Sequence, residues 1–342
     1  MTRLAARALL VLIASSPTLA AQNIGPAHGT LVVSGGAEKP GIILERFIAL
    51  AGGPDAPILV VPTSGNAAEY DQTYAGLKRF RDAGARNLTV LHTRDRNVAN
   101  SDEFVKPLRA ARGIWFEGGS HWRHADAYLD TKVQKEVFAL LDRGGVVGGG
   151  SAGAHIQSDF MEVSRSPNQE FSERKLPQSE WRRGFGLLKN TAIDVHVLAR
   201  NRQFDLQGVI RSHPTMLGIG IDENTAIVVT GDKFEVIGSS LVLIYDNHRQ
   251  LDHDGPATFR TIGGLFYFLR PGDTYDLNAR EPTRPGAGAA TFGRVIKKDW
   301  PALGRAGHVP VRAARPQGVK ESFYAREGRV QGHDRSDRGA RA

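Results

Sequence analysis

Residues 144–155, Gly-Gly-Val-Val-Gly-Gly-Gly-Ser-Ala-Gly-Ala-His, constrain this chain more than any other stretch. Upstream, Val133, Val137, Leu140 and Leu141 fall at helical spacing. Val146-Val147 then reads as a short apolar strand, Gly149-x-Ser151-x-Gly153 as a sharp turn, and Ala154 to Phe160 as a following helix. Strand, glycine turn, serine and helix in that order form a nucleophile elbow. Small neighbours let a second reactant approach the serine. The N–H of Ala152, at the positive end of the helix, can face a developing oxyanion. A chain with 39 glycines also produces such strings without chemistry, and a glycine-rich helix start can merely pack closely or bind an anion.

The segments around the elbow set the fold class. Thr30 to Ser34, Pro57 to Pro62, Asn87 to His92 and Gly113 to Phe116 are apolar runs of strand length. Helical patterns over Ile42–Leu50 and about Tyr70–Ala83 alternate with them. This alternation predicts an α/β fold, a mostly parallel sheet with helices on both faces. Glycine and polar residues cluster just past the strand ends, where open α/β sheets place their sites. Gly118-Gly119 is one such turn, and a Gly119 N–H turned inward would supply a second oxyanion donor beside Ala152. An ordinary tight turn is the equal alternative. His121 and His124 lack a third ligand at a recognisable spacing, so they read as solvated surface histidines; no metal and no cofactor is called for.

Past the elbow, residues 159–183 are polar, contain Pro167 and Pro177, and read as a surface loop or lid. Gly186 to His196 brings a strand that ends in Asp194-x-His196. His196 is a candidate base for Ser151, and Arg200 and Arg202 just beyond it can grip a carboxylate. The Gly218-Ile219-Gly220-Ile221 strand ends in Asp222-Glu223. A carboxylate there needs a partner, and orienting His196 would give Glu223 one. The competing reading is a surface acidic turn. Asp232 to Tyr245 alternates as antiparallel edge strands, Thr261 to Leu269 offers one more strand, and Pro282 to Ala290 reads as turns or linker.

The ends of the chain differ from its body. Arg3 and Arg7, the apolar run Ala8–Ala14 and Thr18-Leu19-Ala20 have the layout of a signal peptide over residues 1–20. The run is too short to span a bilayer. Residues 21–310 then form one α/β domain with its core at 30–246, and 41% hydrophobic content suffices for it. Residues 311–342 are Arg- and Gly-rich and expected to be disordered. The net charge of +8 has two charges in residues 1–20 and a surplus of four in 311–342, leaving +2 between them. That excludes a nucleic-acid footprint. With no cysteine, export points to a periplasm or exterior where a large core replaces disulfides.

Residues from about 30 to 246 resemble the cyanophycinase-like serine peptidases, relatives of the aspartyl dipeptidases on the class I glutamine-amidotransferase-like (flavodoxin-like) fold. The resemblance rests on an ordered set: Ser34-Gly35-Gly36-Ala37-Glu38, Leu44 to Phe47, Val61-Pro62-Thr63, Ile114 to Gly119, Gly150 to Ala154, Asp194-x-His196 and Gly218 to Ala226. It implies Ser151 as nucleophile, His196 as base and Glu223 as acid. It also implies substrate contacts at Arg200, Arg202, Asp194 and His121, and a peptide as partner; a homodimer is left open. The departures lie among those contacts. The family's Gly-Gly-Asp-Gln is Gly118-Gly119-Ser120-His121, its Asp-Gln-His-Phe is Asp194-Val195-His196-Val197, and Asp205 stands where a later arginine is expected. The expectation is a secreted serine exopeptidase or isopeptidase acting on β-aspartyl or cyanophycin-like peptides. The alternative is an inactive ligand-binding protein on the same scaffold.

Expressed in a bacterium with its own leader, the protein is expected outside the cytoplasm with its amino terminus near Ala21. N-terminal sequencing checks this, and periplasmic protein that retains Met1 would contradict it.

Overall fold

The computed structural model describes residues 23–161, 182–247 and 266–284, which pack into one compact unit. The leader, most of the 159–183 loop, residues 261–265 and the 311–342 tail lie outside the described residues.

Five apolar runs make the parallel centre of a nine-stranded sheet: β1 (Thr30–Ser34), β2 (Ile58–Val61), β3 (Leu88–Val90), β4 (Gly113–Phe116) and β5 (Val146–Gly150). They lie in the order β3-β2-β4-β5-β1. Both faces are covered, which is why the runs are continuous rather than alternating. Val32, Val60 and Trp115 pack under α1 (Ile42–Ala51) and α2 (Leu77–Asp82). Leu31, Val33, Leu59, Ile114 and Val147 face the opposite way, toward α4 (Asp102–Ala110), α5 (His121–Tyr128) and α6 (Lys132–Asp142). Antiparallel strands extend the sheet beyond β1: β9 (Thr225–Thr230), β10 (Lys233–Gly238), β13 (Thr274–Asp276) and β14 (Glu281–Arg284).

A second sheet of five strands shares the second of these cores. It comprises β6 (Ser158–Met161), β7 (Leu188–Val195), β8 (Leu217–Ile221), β11 (Val242–Asp246) and β12 (Tyr267–Leu269), with β6, β7 and β8 parallel. Its other face packs on α8 (Asp205–Ser212) through Leu206, Val209 and Ile210. The chain crosses between the sheets from β5 to β6, from β8 to β9, from β10 to β11 and from β12 to β13.

The α/β class holds, and several local expectations are corrected. The helix after the elbow, α7, is one turn (Ala152–His155). It stops because side chains take its end carbonyls: Gln157 Nε2 donates to Gly153 O at 2.9 Å and Ser158 Oγ to His155 O at 2.8 Å. The freed chain continues as β6, so Asp159 to Met161 are strand rather than loop. The helix expected from Tyr70 begins only at Leu77. Asp71 holds a turn on Thr73, and Gln72 pairs with both backbone groups of Val90, so those residues serve the edge of β3 instead. Pro282 lies in β14, an edge strand, where its missing N–H is tolerated.

Two glycine replacements test this packing. A Cβ at Gly153 would lie 1.9 Å from the Phe116 carbonyl, so Gly153→Ala must push α7 off β4. It should lower stability by about 1–3 kcal/mol in urea unfolding. At Gly208, inside α8, an added Cβ meets nothing within 4 Å, and Gly208→Ala should stabilise by about 0.5–1 kcal/mol.

Candidate active site

Ser151 follows β5 at φ 54°, ψ −113°, a conformation disfavoured for any residue with a Cβ. The elbow is held from both sides. Ser151 N–H donates to Ser34 O at 3.1 Å, and its carbonyl accepts from Ala154 at 2.9 Å and His155 at 3.2 Å. Close packing of backbone on backbone explains the glycines: a Cβ on Gly149 would lie 2.3 Å from Gly153 O.

His196 leaves β7 at φ 54°, its N–H donating to Gly35 O at 3.3 Å. Its Nε2 lies 2.8 Å from Ser151 Oγ, and its Nδ1 lies 2.7 Å from Glu223 Oε1. Glu223 sits on the crossover from β8 to β9. Its neighbour Asp222 anchors the loop that carries His196, accepting from the Leu198 and Ala199 amides at 3.1 and 3.0 Å and from Ser240 Oγ at 2.6 Å. The acidic pair is therefore divided between two tasks. Two missing side chains make room for the line of three groups. A Cβ on Gly36 would come within 2.6 Å of the His196 ring, and one on Gly35 within 2.1 Å of Asp222 O.

Burial, followed by the nearby Arg200 charge, lowers the His196 pKa from its ordinary 6.5, although Glu223 pulls the other way. The imidazole is thus neutral at pH 7, able to accept a proton from the hydroxyl it touches.

Gly118-Gly119 lies against the elbow, with the position of a Gly118 Cβ 3.3 Å from that of Ser151. Gly119, at φ 145°, is pressed on Ser64, whose carbonyl an added Cβ would meet at 2.2 Å. Ser64 Oγ donates to the Glu117 and Gly118 carbonyls at 2.8 Å each. Among the described residues no hydrogen bond uses the N–H of Gly119 or of Ala152. Both remain available to a ligand beside Ser151. Ser64 was not singled out in the sequence, although it follows the Val61-Pro62-Thr63 motif by one residue.

The remaining expected contacts divide. Asp194 is buried, 3.8 Å from Arg202 Nη1 and 3.9 Å from His155 Nε2. His121 is buried as well, its ring centroid 5.0 Å from that of His155. Arg200 is exposed, and Val195 packs in the core rather than lining the site. The surface assignment of His121 and His124 is corrected: they are 6% and 0% exposed. Helix α5 has few apolar side chains but lies beneath α7, and His124 Nε2 bonds the Glu117 carbonyl at 3.0 Å. His155, one helical turn after Ser151, is a residue the sequence reading passed over. Burial, then the neighbouring His121 and Arg202, holds its pKa well below 6.5.

A strained serine on a strand–helix elbow, bonded to a histidine that is bonded to a carboxylate, has the layout of a serine hydrolase site. Comparisons with known proteins give the family. Residues 30–237 match peptidase family S51, and the chain belongs to that family. It is a cyanophycinase-like serine peptidase. It is 30% identical over 274 residues to the cyanophycinase of Geminocystis herdmanii, covering 75% of this chain and 96% of that one. The cyanophycinase of a Nostoc species is 31% identical over 262 residues, covering 73% and 86%. The crystal structure of a peptidase from an acI-B1 actinobacterium shares the fold at a TM-score of 0.54 and 23% identity, over 73% of this chain and 97% of that one.

The charges around His196 give a test independent of substrate. In an NMR titration of the ring, Arg200→Ala should raise the His196 pKa and Glu223→Gln should lower it further. An unmoved pKa in Arg200→Ala would mean that Arg200 does not face the site.

Proposed function

We propose that this protein is a secreted exopeptidase or isopeptidase that hydrolyses Asp-containing peptides through a Ser151–His196–Glu223 triad. The observation that carries the reading is the continuous pair of hydrogen bonds, 2.8 and 2.7 Å, from Ser151 Oγ through the imidazole to Glu223. In this mechanism Ser151 Oγ attacks the scissile carbonyl carbon as its proton passes to His196 Nε2. Glu223 holds the Nδ1–H tautomer and stabilises the imidazolium. The tetrahedral oxyanion is met by the Gly119 and Ala152 N–H groups. His196 then protonates the leaving nitrogen, the C–N bond breaks, and an acyl-enzyme remains. Water, deprotonated by the same imidazole, releases the acid and restores the serine.

Arg200 and Arg202 would hold substrate carboxylates. Cyanophycin carries an arginine on each backbone aspartate, so its site must also grip a guanidinium. Val195 and Ser120 replace the glutamine and aspartate expected there, and Val195 is a core residue. Loss of built hydrogen-bond partners can cost on the order of 10⁴-fold in discrimination. Short aspartyl or isoaspartyl peptides without the arginine branch are therefore the better substrates. Export rests on the leader-like residues 1–20 alone. An inactive binding protein on this scaffold is the alternative, which labelling of Ser151 by a fluorophosphonate would eliminate.

Ser151→Ala should abolish turnover without loss of fold, and Glu223→Gln should lower kcat by on the order of 10⁴-fold. Arg200→Ala should raise KM more than it lowers kcat. Measured on the mature enzyme, kcat/KM should favour the unbranched peptides, and a clear preference for cyanophycin would refute this account of the pocket.

A further inference from the structure

Behind the elbow lies a cluster that the proposed triad does not use. Arg79, on α2, places Nη1 2.6 Å from Glu38 Oε2 and Nη2 2.5 Å from Glu117 Oε2. The two carboxylates are 5% and 9% exposed. The guanidinium lies 4.9 Å from the centre of the Phe80 ring and 5.7 Å from that of Trp115. One cation thus serves two buried anions, an arrangement too costly to be an incidental surface pair.

What the two carboxylates touch gives the cluster its meaning. Glu38 Oε1 lies on Gly150, 1.9 Å from where a Cβ would stand, and has no hydrogen-bond partner among the described residues. Gly150 is the residue before Ser151. Glu117 is the residue before Gly118-Gly119. The Gly118 N–H lies toward its carboxylate, short of a full hydrogen bond, and favours its charge. Arg79 therefore links the strand that ends at the nucleophile to the turn that carries the second oxyanion donor.

We propose that Arg79, through Glu38 and Glu117, is a positioning residue that fixes the Gly118–Gly119 turn against the Gly150–Ser151 elbow. The proposal rests on the serine mechanism above. The Gly119 and Ala152 N–H groups follow neighbouring strands, β4 and β5, whose ladder ends at Phe116 and Gly149, short of both groups. Past that point a rigid guanidinium fork, bonded to Glu117 and to the Glu38 carboxylate that packs on Gly150, holds the two segments together.

Burial pushes Glu117 up to about 7 even against the Arg79 charge, and Glu38 adds to the rise. Tyr74 also faces Glu117, and His124, held at about 4 by burial, is neutral beside it. Ionising Glu117 in the folded protein therefore costs stability. The cost is absent below its ordinary value of 4.5 and fully present above about 7. Removing that charge should not destabilise the protein at pH 8, which separates loss of alignment from loss of fold.

The experiment measures the second-order rate of Ser151 labelling by a fluorophosphonate, whose P=O oxygen occupies the oxyanion position. Glu117→Gln and Arg79→Lys are compared with the wild type on the mature protein, together with melting temperature at pH 8. Both variants should label about 10–100-fold more slowly, in proportion to a lost alignment of the donors. Glu117→Gln should melt no lower than wild type, and the pH midpoint set by His196 should not move. Wild-type labelling rates in both variants, or a loss that follows a lowered melting temperature, would overturn the clamp. A wild type that does not label at Ser151 would overturn the serine mechanism and the clamp with it. The two failures are distinct, because only in the second is the wild type itself inert.

Discussion

The space left by two absent side chains, at Gly35 and Gly36, is what the rest of the site depends on. Here the end of the central strand of one sheet meets the ends of two strands of another. Gly35 takes the His196 amide on its carbonyl and gives its own N–H to Thr225 O at 2.9 Å, while Gly36 O accepts from Asn224 at 2.8 Å. Backbone thus joins the loop carrying His196, the crossover carrying Glu223 and the strand beside Ser151. Any Cβ there would drive the sheets apart or displace the imidazole. The side chains that meet at the seam come from chain segments 45 and 27 residues apart, and only this contact brings them into line.

Around the seam, strain and charge are concentrated where the chemistry is placed. Ser151 and His196 both adopt positive φ, at a cost of about 1–3 kcal/mol each. The shared core of both sheets and the covered faces offset that cost. Asp222 shows how: burial works against its charge, but the Ser240 hydroxyl and neighbouring amides lower its pKa regardless, so the loop carrying His196 stays anchored by an ionised group.

How much of this could be seen in the sequence depended on whether a residue's role is written in its neighbours. Ser151 and the parallel strands were legible because glycine spacing and continuous apolar runs are local signals. His196 and Glu223 were legible only as strand ends carrying the right side chains; their meeting is a property of topology. The depth of α5 was not legible. His121, His124 and Asp126 look like surface residues, and their burial follows from α7 and the short helix α3 (Arg96–Ala99) packing on α5. The role of Arg79 was hidden for a similar reason, since its partners are 41 and 38 residues away. The strands β13 and β14 were masked by prolines and turn residues, which are tolerated at a sheet edge.

The division of the site between two sheets also bears on when the protein becomes dangerous to its host. Ser151 and His196, nucleophile and general base in the mechanism proposed above, belong to layers that must both form and dock before the two side chains meet. On that mechanism a nascent or partly folded chain, with the two layers not yet docked, would have no assembled triad. If residues 1–20 direct passage through a membrane in the unfolded state, hydrolytic power would first arise on the far side, where assembly of the two layers is itself the activation step.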